Sequence, residues 1–293
     1  MDTNTGASDS NGPSDAYSQL LKGLPVVERR LDLAGVSTAV LEGGEGPPIV
    51  LLHGQGGFGA MWGPLLTFLS DNHHIVAPDL PGLGRSRVQT GTLDDRGTVA
   101  WLDELIAKTC DQPPIVIGHS LGGSLALRFA IEHGERIRSV VLINSGSLAK
   151  FRPSPSLLFA LIRMMKRPSP ATLKRFQRHI FIDPERAMAQ MGERRAPFES
   201  YQIYLASNPS VRNANRQLLR SIAARIPDDQ LRKIDVPVAL IWGRGDRINR
   251  IAMAEAASAR YGWTLYPIED AAHVPMAEQP AAFLDALHVA IQL

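Results

Sequence analysis

Three residues of this chain have the types and the order that nucleophilic acyl chemistry needs: Ser120, Asp246 and His273. Ser120 stands in Gly118-His119-Ser120-Leu121-Gly122-Gly123, after the apolar run Pro114 to Ile117 and before the helix-like stretch Leu121 to His133. On so tight a strand-to-helix turn the serine hydroxyl projects from the top of a sheet, and Gly118 and Gly122 remove side chains that would clash. A hydroxyl attacks only when a base takes its proton, and the base needs an acid to orient it. Asp246 follows the run Val238 to Trp242 across the turn Gly243-Arg244-Gly245, and His273 lies in the loop after Thr264 to Ile268. Both therefore fall at strand ends, and Ser, Asp, His is one of the recurring orders of a catalytic triad.

Competing side chains are removed by position. Of the 8 histidines, His133 and His288 fall on helical stretches, His73 and His74 open a strand and His179 lies among helices. His119 adjoins Ser120, with its side chain expected to point elsewhere. Asp79 and Asp270 are spare carboxylates, and the position after the Val140 run holds Asn144 and Ser145, neither of them acidic.

An oxyanion needs preorganised N–H donors. His53-Gly54-Gln55-Gly56-Gly57 places glycines directly after an apolar run, and the expected donors are the backbone N–H groups of Gln55 and Leu121, with Gly56 the alternative to Gln55. The same loop also satisfies a dinucleotide fingerprint, Gly54-Gln55-Gly56-Gly57-Phe58-Gly59, with Asp79 placed as its ribose acid. Strand-like segments precede it, however, and that reading leaves Ser120, Asp246 and His273 unexplained.

The elements that must hold these residues are readable from pattern. Short runs rich in β-branched residues at Val36 to Leu41, Pro48 to Leu52, His74 to Pro78, Ile115 to Ile117, Val140 to Ile143, Val238 to Trp242 and Thr264 to Ile268 suit strands buried on both faces. Helical stretches at Ala60 to Ser70, Leu93 to Thr109, Leu121 to His133, Ile251 to Tyr261 and Pro280 to Ile291 alternate with them. This is an α/β pattern: one mostly parallel sheet covered by helices, interrupted after the Val140 strand and resumed near Val236.

The interruption differs in composition. From residue 150 to 226 there are 15 Lys and Arg against 4 Asp and Glu, so the net charge of +2 divides into +11 there and −9 elsewhere. Arginines covering outer helix faces, an anionic substrate, or peripheral membrane contact through the apolar and basic stretch Leu157 to Arg167 would each account for it. Nucleic-acid binding is not expected, since no recognised motif accompanies the charge. The 293 residues contain no apolar run near membrane-spanning length, and the single cysteine, Cys110, excludes internal disulfides and cysteine-based zinc sites. Residues 1–24 read as a disordered polar tail without secretory targeting, and a reducing, cytoplasmic location is expected.

On His53 to Gly57, Asp79 to Ser86, the elbow around Ser120, Asp246 and His273, the chain resembles the α/β-hydrolase superfamily in its cap-bearing serine branch, over roughly residues 25 to 293. The resemblance implies an eight-stranded sheet whose second strand is antiparallel. It divides the chain into a core of residues 25–146 and 227–293 and a basic helical cap of residues 147–226, inserted after the sixth strand. It also implies hydrolysis of a carboxylic ester through an acyl-enzyme on a small-molecule acyl substrate, apolar or anionic, with no metal or organic cofactor. Leu157 to Ile162, Met164, Met165, Phe176, Phe181, Met188, Met191, Phe198, Tyr201 and Tyr204 are candidates for an apolar acyl pocket. Thioesterase, lactonase and C–C bond hydrolase chemistry share the fold, as do non-catalytic receptors. Ser120 excludes aspartate-nucleophile members, while His119 and Val274 depart from the Asn and Trp usual in aromatic-pathway C–C hydrolases.

Overall fold

The computed structural model describes residues 13–91 and 93–292. Eight strands follow one path in the order β1-β2-β4-β3-β5-β6-β7-β8: β1 (Val27–Leu33), β2 (Val36–Gly43), β3 (Pro48–Leu52), β4 (His74–Pro78), β5 (Ile115–His119), β6 (Ser139–Ile143), β7 (Val238–Gly243) and β8 (Thr264–Ile268). A two-residue strand, Arg87–Val88, pairs with β2 off this path. β2 is antiparallel to both β1 and β4, and every other neighbouring pair on the path is parallel. In β3, β5, β6 and β7 every residue is buried, which is why these strands read as unbroken apolar runs instead of alternating ones.

β1 escaped the sequence reading because it is an edge strand with only Leu33 fully buried. It is held by a hairpin whose two turn residues, Ala34 and Gly35, have φ of 43° and 78°, the twist that suits a tight antiparallel turn. The expected helix over Ala60 to Ser70 is broken at Gly63, φ 43°, into a short 3₁₀ turn (Gly59–Trp62) and α2 (Pro64–Ser70). The other expected helices stand as α3 (Asp95–Thr109), α4 (Leu121–His133), α11 (Ile251–Tyr261) and α13 (Pro280–Ala290).

The disordered tail expected over residues 1–24 is corrected in its second half, while residues 1–12 lie outside the described residues. Pro13–Leu21 form helix α1, whose Tyr17 and Leu20 are each 1% exposed. Its polar serines and aspartate hide a short apolar face that becomes legible only when it packs. Tyr17 lies 5.1 Å from the ring of Tyr201 and 6.1 Å from that of Phe58, and Phe58 meets Tyr201 edge-on at 4.8 Å.

Five of the α-helices between β6 and β7 fall within residues 150–226: α5 (Pro155–Lys166), α6 (Pro170–Ile180), α7 (Pro184–Ala189), α8 (Arg195–Ser207) and α9 (Pro209–Ser221). Four begin alike, with Ser154, Ser169, Asp183 or Asn208 accepting a backbone N–H and a proline next. The side chain satisfies a donor the first turn leaves open, and proline lacks the N–H that would need one. Two short helices complete the chain: α10 (Asp228–Leu231) and α12 (Pro275–Glu278).

Candidate active site

The sheet brings the chemically competent residues to one edge. Gln55 follows β3, Asp79 β4, Ser120 β5, Asn144 β6, Asp246 β7 and His273 β8, so all six sit beyond the carboxyl ends of strands, where sites of open parallel sheets form. Ser120 joins β5 to α4 with φ 51° and ψ −109°, a strained backbone for a residue with a Cβ. Its N–H is held by the carbonyl of Ile143 at 2.9 Å and its carbonyl by the N–H of Gly146 at 3.1 Å. The turn closes because Gly118 and Gly122 are bare: a Cβ on the first would meet the backbone of Gly123, and on the second the carbonyl of Leu52.

Although Ser120 stands at the N-cap of α4, its side chain makes no capping bond. The hydroxyl instead lies 3.0 Å from Nε2 of His273, whose Nδ1 lies 2.9 Å from Oδ2 of Asp246. An ionised carboxylate only accepts, so Nδ1 carries the proton and Nε2 is free to accept from the serine. His273 and Asp246 are 6% and 4% exposed. Asp246 also receives the N–H groups of Ile248 and Asn249 on Oδ1, at 2.7 and 3.1 Å, and Nδ2 of Asn144 on Oδ2 at 2.6 Å. Burial alone would raise its pKa, but His273 and these donors hold it below the ordinary carboxylate value.

Asn144 is therefore bonded into the Ser120–His273–Asp246 cluster, although sequence reasoning set it aside as non-acidic. It adds a bond to the carbonyl of Ala272 at 3.2 Å and accepts from the N–H of Gly243 at 3.1 Å, tying the aspartate's loop to the histidine's. Its place directly after β6 was the available signal. Glu278, 4% exposed, was missed altogether. Its carboxylate accepts the N–H groups of Ala272 and Ile182, each at 2.6 Å.

His119 corrects an expectation as well. Its ring lies 5.0 Å from that of His273, and Nε2 lies 2.8 Å from the His273 carbonyl. Because a carbonyl only accepts, the proton is on Nε2 and the buried Nδ1 is a bare acceptor without a partner. Burial, then the neighbouring His273, push its pKa down to about 3.

The loop after β3 presses against Ser120: a Cβ on Gly54 would lie 2.8 Å from His119 Nδ1 and 3.1 Å from the Ser120 Cβ. His53 braces that loop, donating from Nδ1 to the Gly54 carbonyl at 2.8 Å and accepting the N–H of Leu80 on Nε2 at 2.9 Å. Burial lowers its pKa to about 4. Asp79 braces the same region from below, accepting the N–H groups of Gly59 and Arg85 at 2.5 and 2.6 Å. Burial outweighs those bonds and pushes its pKa up to about 6. The N–H of Gly56 is engaged by Oδ1 of Asn215 in α9 at 3.3 Å. Among the described residues no group of three or more His, Cys, Asp or Glu is arranged to hold a metal ion.

A cavity of about 300 Å³ opens at Ser120 and His273 and runs between the sheet end and the inserted helices. Of the candidate pocket residues, Leu157, Leu161, Phe176, Phe181, Met188, Met191 and Phe198 line it. Tyr201 instead packs with Tyr17 and Phe58, and Leu158, Phe159, Ile162 and Met165 are exposed on the outer face of α5.

A model of the alpha/beta hydrolase family matches residues 49–286. The chain is 27% identical over 261 residues to a pimeloyl-[acyl-carrier protein] methyl ester esterase of Aeromonas hydrophila, covering 86% of this chain and 98% of that one. It is 26% identical over 275 residues to a 2-hydroxy-6-oxo-6-(2'-aminophenyl)hexa-2,4-dienoic acid hydrolase of Metapseudomonas resinovorans, covering 89% of each. A solved membrane phospholipase A, described as a bacterial virulence factor, superposes with a TM-score of 0.75 at 25% identity, over 94% of this chain and 91% of that one.

Proposed function

The chain belongs to the alpha/beta hydrolase family, and on that premise we propose that it is a serine hydrolase cleaving a carboxylic ester through an acyl-enzyme. The observation that carries the reading is the continuous relay from Ser120 Oγ to His273 at 3.0 Å and on to Asp246 at 2.9 Å. His273 Nε2 takes the hydroxyl proton as Ser120 Oγ attacks the acyl carbonyl, and Asp246 stabilises the imidazolium that results. His273 then returns the proton to the leaving alcohol, and water repeats the sequence to free the acid and Ser120.

The oxyanion donors in this reading are the N–H groups of Gln55 and Leu121. Two features support the pair. Leu121 is the first residue of α4, where backbone N–H groups lack intrahelical partners. Gly56, the alternative to Gln55, already donates to Asn215. The helices between residues 147 and 226 form the cap in this assignment, roofing an acyl pocket in the cavity above Ser120. The ester preference is supported by the esterase relative. A C–C bond reading is favoured by the hexadienoic acid hydrolase relative, but His119 and Val274 stand where the resemblance expects Asn and Trp. No residue here requires a metal or organic cofactor. Peripheral contact of the cap with a membrane is proposed from the exposed apolar face of α5 beside Arg163, Lys166 and Arg167.

Labelling with a fluorophosphonate ester, read by peptide mass, tests the nucleophile. Stoichiometric modification at Ser120 is expected, lost in Ser120→Ala together with turnover of activated esters by on the order of 10⁶-fold. Folded wild-type protein that takes no label, or Ser120→Ala within about tenfold of wild type, would sink the assignment.

A further inference from the structure

The cavity above Ser120 is walled mainly by apolar side chains, and among the described residues that line it Arg194 is the only Lys, Arg, Asp or Glu. Of the 15 Lys and Arg between residues 150 and 226, ion pairs hold Lys174, Arg195 and Arg225 among the described residues, the first two through Glu185 and Glu199. Arg194 has no such pairing. Its Nη2 is buried and makes no hydrogen bond, and burial lowers the guanidinium pKa. A second wall residue is in the same condition. Trp62 is 2% exposed, lines the cavity, and its Nε1–H also has no partner.

The two come from different parts of the chain. Trp62 ends the short turn before Gly63, and Arg194 precedes α8 in the inserted helices. The Arg194 guanidinium lies against Gly63, the residue that follows Trp62: a Cβ there would lie 3.6 Å from Nη2 and 3.7 Å from Cζ. Guanidinium and indole N–H groups can only donate. Two donors left unsatisfied beside a cavity carry a desolvation cost that an acceptor entering the cavity would relieve, and a guanidinium matches the planar oxygens of a carboxylate best.

We infer that Arg194 and Trp62 form an anion subsite, and that the preferred substrate is an ester carrying a carboxylate remote from the scissile bond. This rests on the proposed Ser120 chemistry and names its substrate class. Reaction at Ser120 and capture at Arg194 then fix the two ends of one molecule, with the apolar wall covering the chain between them. The carboxylate could belong to the acyl part, as in a half-ester of a dicarboxylic acid, or to the alcohol part, as in an acetylated ω-hydroxy acid.

The test compares kcat/KM for two series of graded chain length: monomethyl esters of straight-chain dicarboxylic acids and acetyl esters of ω-hydroxy acids. Each is set against the neutral ester of the same length. A preference for the charged member in one series, peaking at one chain length, is expected, and the series that shows it identifies the side of the ester. The charged-to-neutral ratio should fall by about tenfold to a hundredfold in Arg194→Met and by about tenfold in Trp62→Phe. Arg194→Lys, which keeps the charge without the fork, should fall between wild type and Arg194→Met. No preference in either series, or loss of charged and neutral esters in equal proportion in both Arg194→Met and Trp62→Phe, overturns the subsite. Fluorophosphonate labelling of Ser120 in that protein would show the hydrolase reading standing without it, whereas absent labelling would remove the reading on which the subsite rests.

Discussion

Each residue of the proposed triad is held by more bonds than its chemistry would use, and the surplus falls on side chains that carry little signal in sequence. Asp246 could be placed from its position after a β-branched run, but what keeps it ionised in a buried setting is His273 together with Asn144 and the Ile248 amide. Asn144 is a neutral residue whose role exists only once β6 and β7 lie side by side. Arg194 was equally invisible, one of 15 cations between residues 150 and 226, because lacking a partner is a property of tertiary structure. The buried histidines set a pH dependence. His53 and His119 titrate at about 4 and about 3 in the folded chain, against about 6.5 when unfolded. The folded state binds fewer of those protons, so the stability they contribute is complete above about pH 6.5 and is lost as pH falls. Asp79, pushed up to about 6 from about 3.9 unfolded, opposes them by taking its proton first in the folded state. Two histidines against one aspartate leave about one net proton, so unfolding free energy should fall by about 1.4 kcal/mol per pH unit between about pH 6 and pH 4.5. Urea titrations across that range measure it, and a flat profile would refute the burial of neutral imidazoles.

At the scale of elements, the strands that carry the site were legible because burial on both faces makes β3, β5, β6 and β7 read as short runs rich in Val, Ile and Leu. Helix α1 and strand β1 were not, since each buries one narrow face under a polar exterior. Less legible still was the joint between α6 and the loop that carries His273. The N–H of His273 donates to the carbonyl of Ile180 at 3.0 Å, and Glu278 binds the N–H groups of Ile182 and Ala272 on its two oxygens. A Glu278→Gln substitution keeps the shape but replaces one acceptor with a donor facing a buried N–H, an arrangement worth about 1–3 kcal/mol. It should lower the melting temperature and slow fluorophosphonate labelling of Ser120 by about tenfold, the latter because His273 loses its fixed position. Labelling at the wild-type rate would confine Glu278 to folding.

For the whole molecule, the near-neutral total charge hides a polarity between the inserted helices, at +11, and the remainder, at −9. On α5 the basic character coincides with exposed carbon: Leu158, Phe159 and Met165 are each about half exposed, while Leu157 and Leu161 on the same helix line the cavity. Among the described residues no helix is long and apolar enough to cross a membrane. Sedimentation with vesicles containing anionic phospholipid is expected to carry the protein down, less so at high salt, and less so in a Phe159→Ser, Met165→Ser variant. Equal partition onto zwitterionic and anionic vesicles, or none onto either, would return the arginines to simple solvation of the helix exterior.

The bond between Ile180 and His273 also bears on how such a protein can diversify. If the inserted helices were a detachable module, one set could be exchanged for another and the core would keep its chemistry. Here the end of α6 supplies an acceptor to the base's own backbone, and residue 182 shares Glu278 with residue 272. Grafts that replace α5 alone have freedom to alter what enters the cavity, whereas grafts crossing residues 177–183 must bring an equivalent acceptor or deliver a well-folded chimaera with a misplaced histidine.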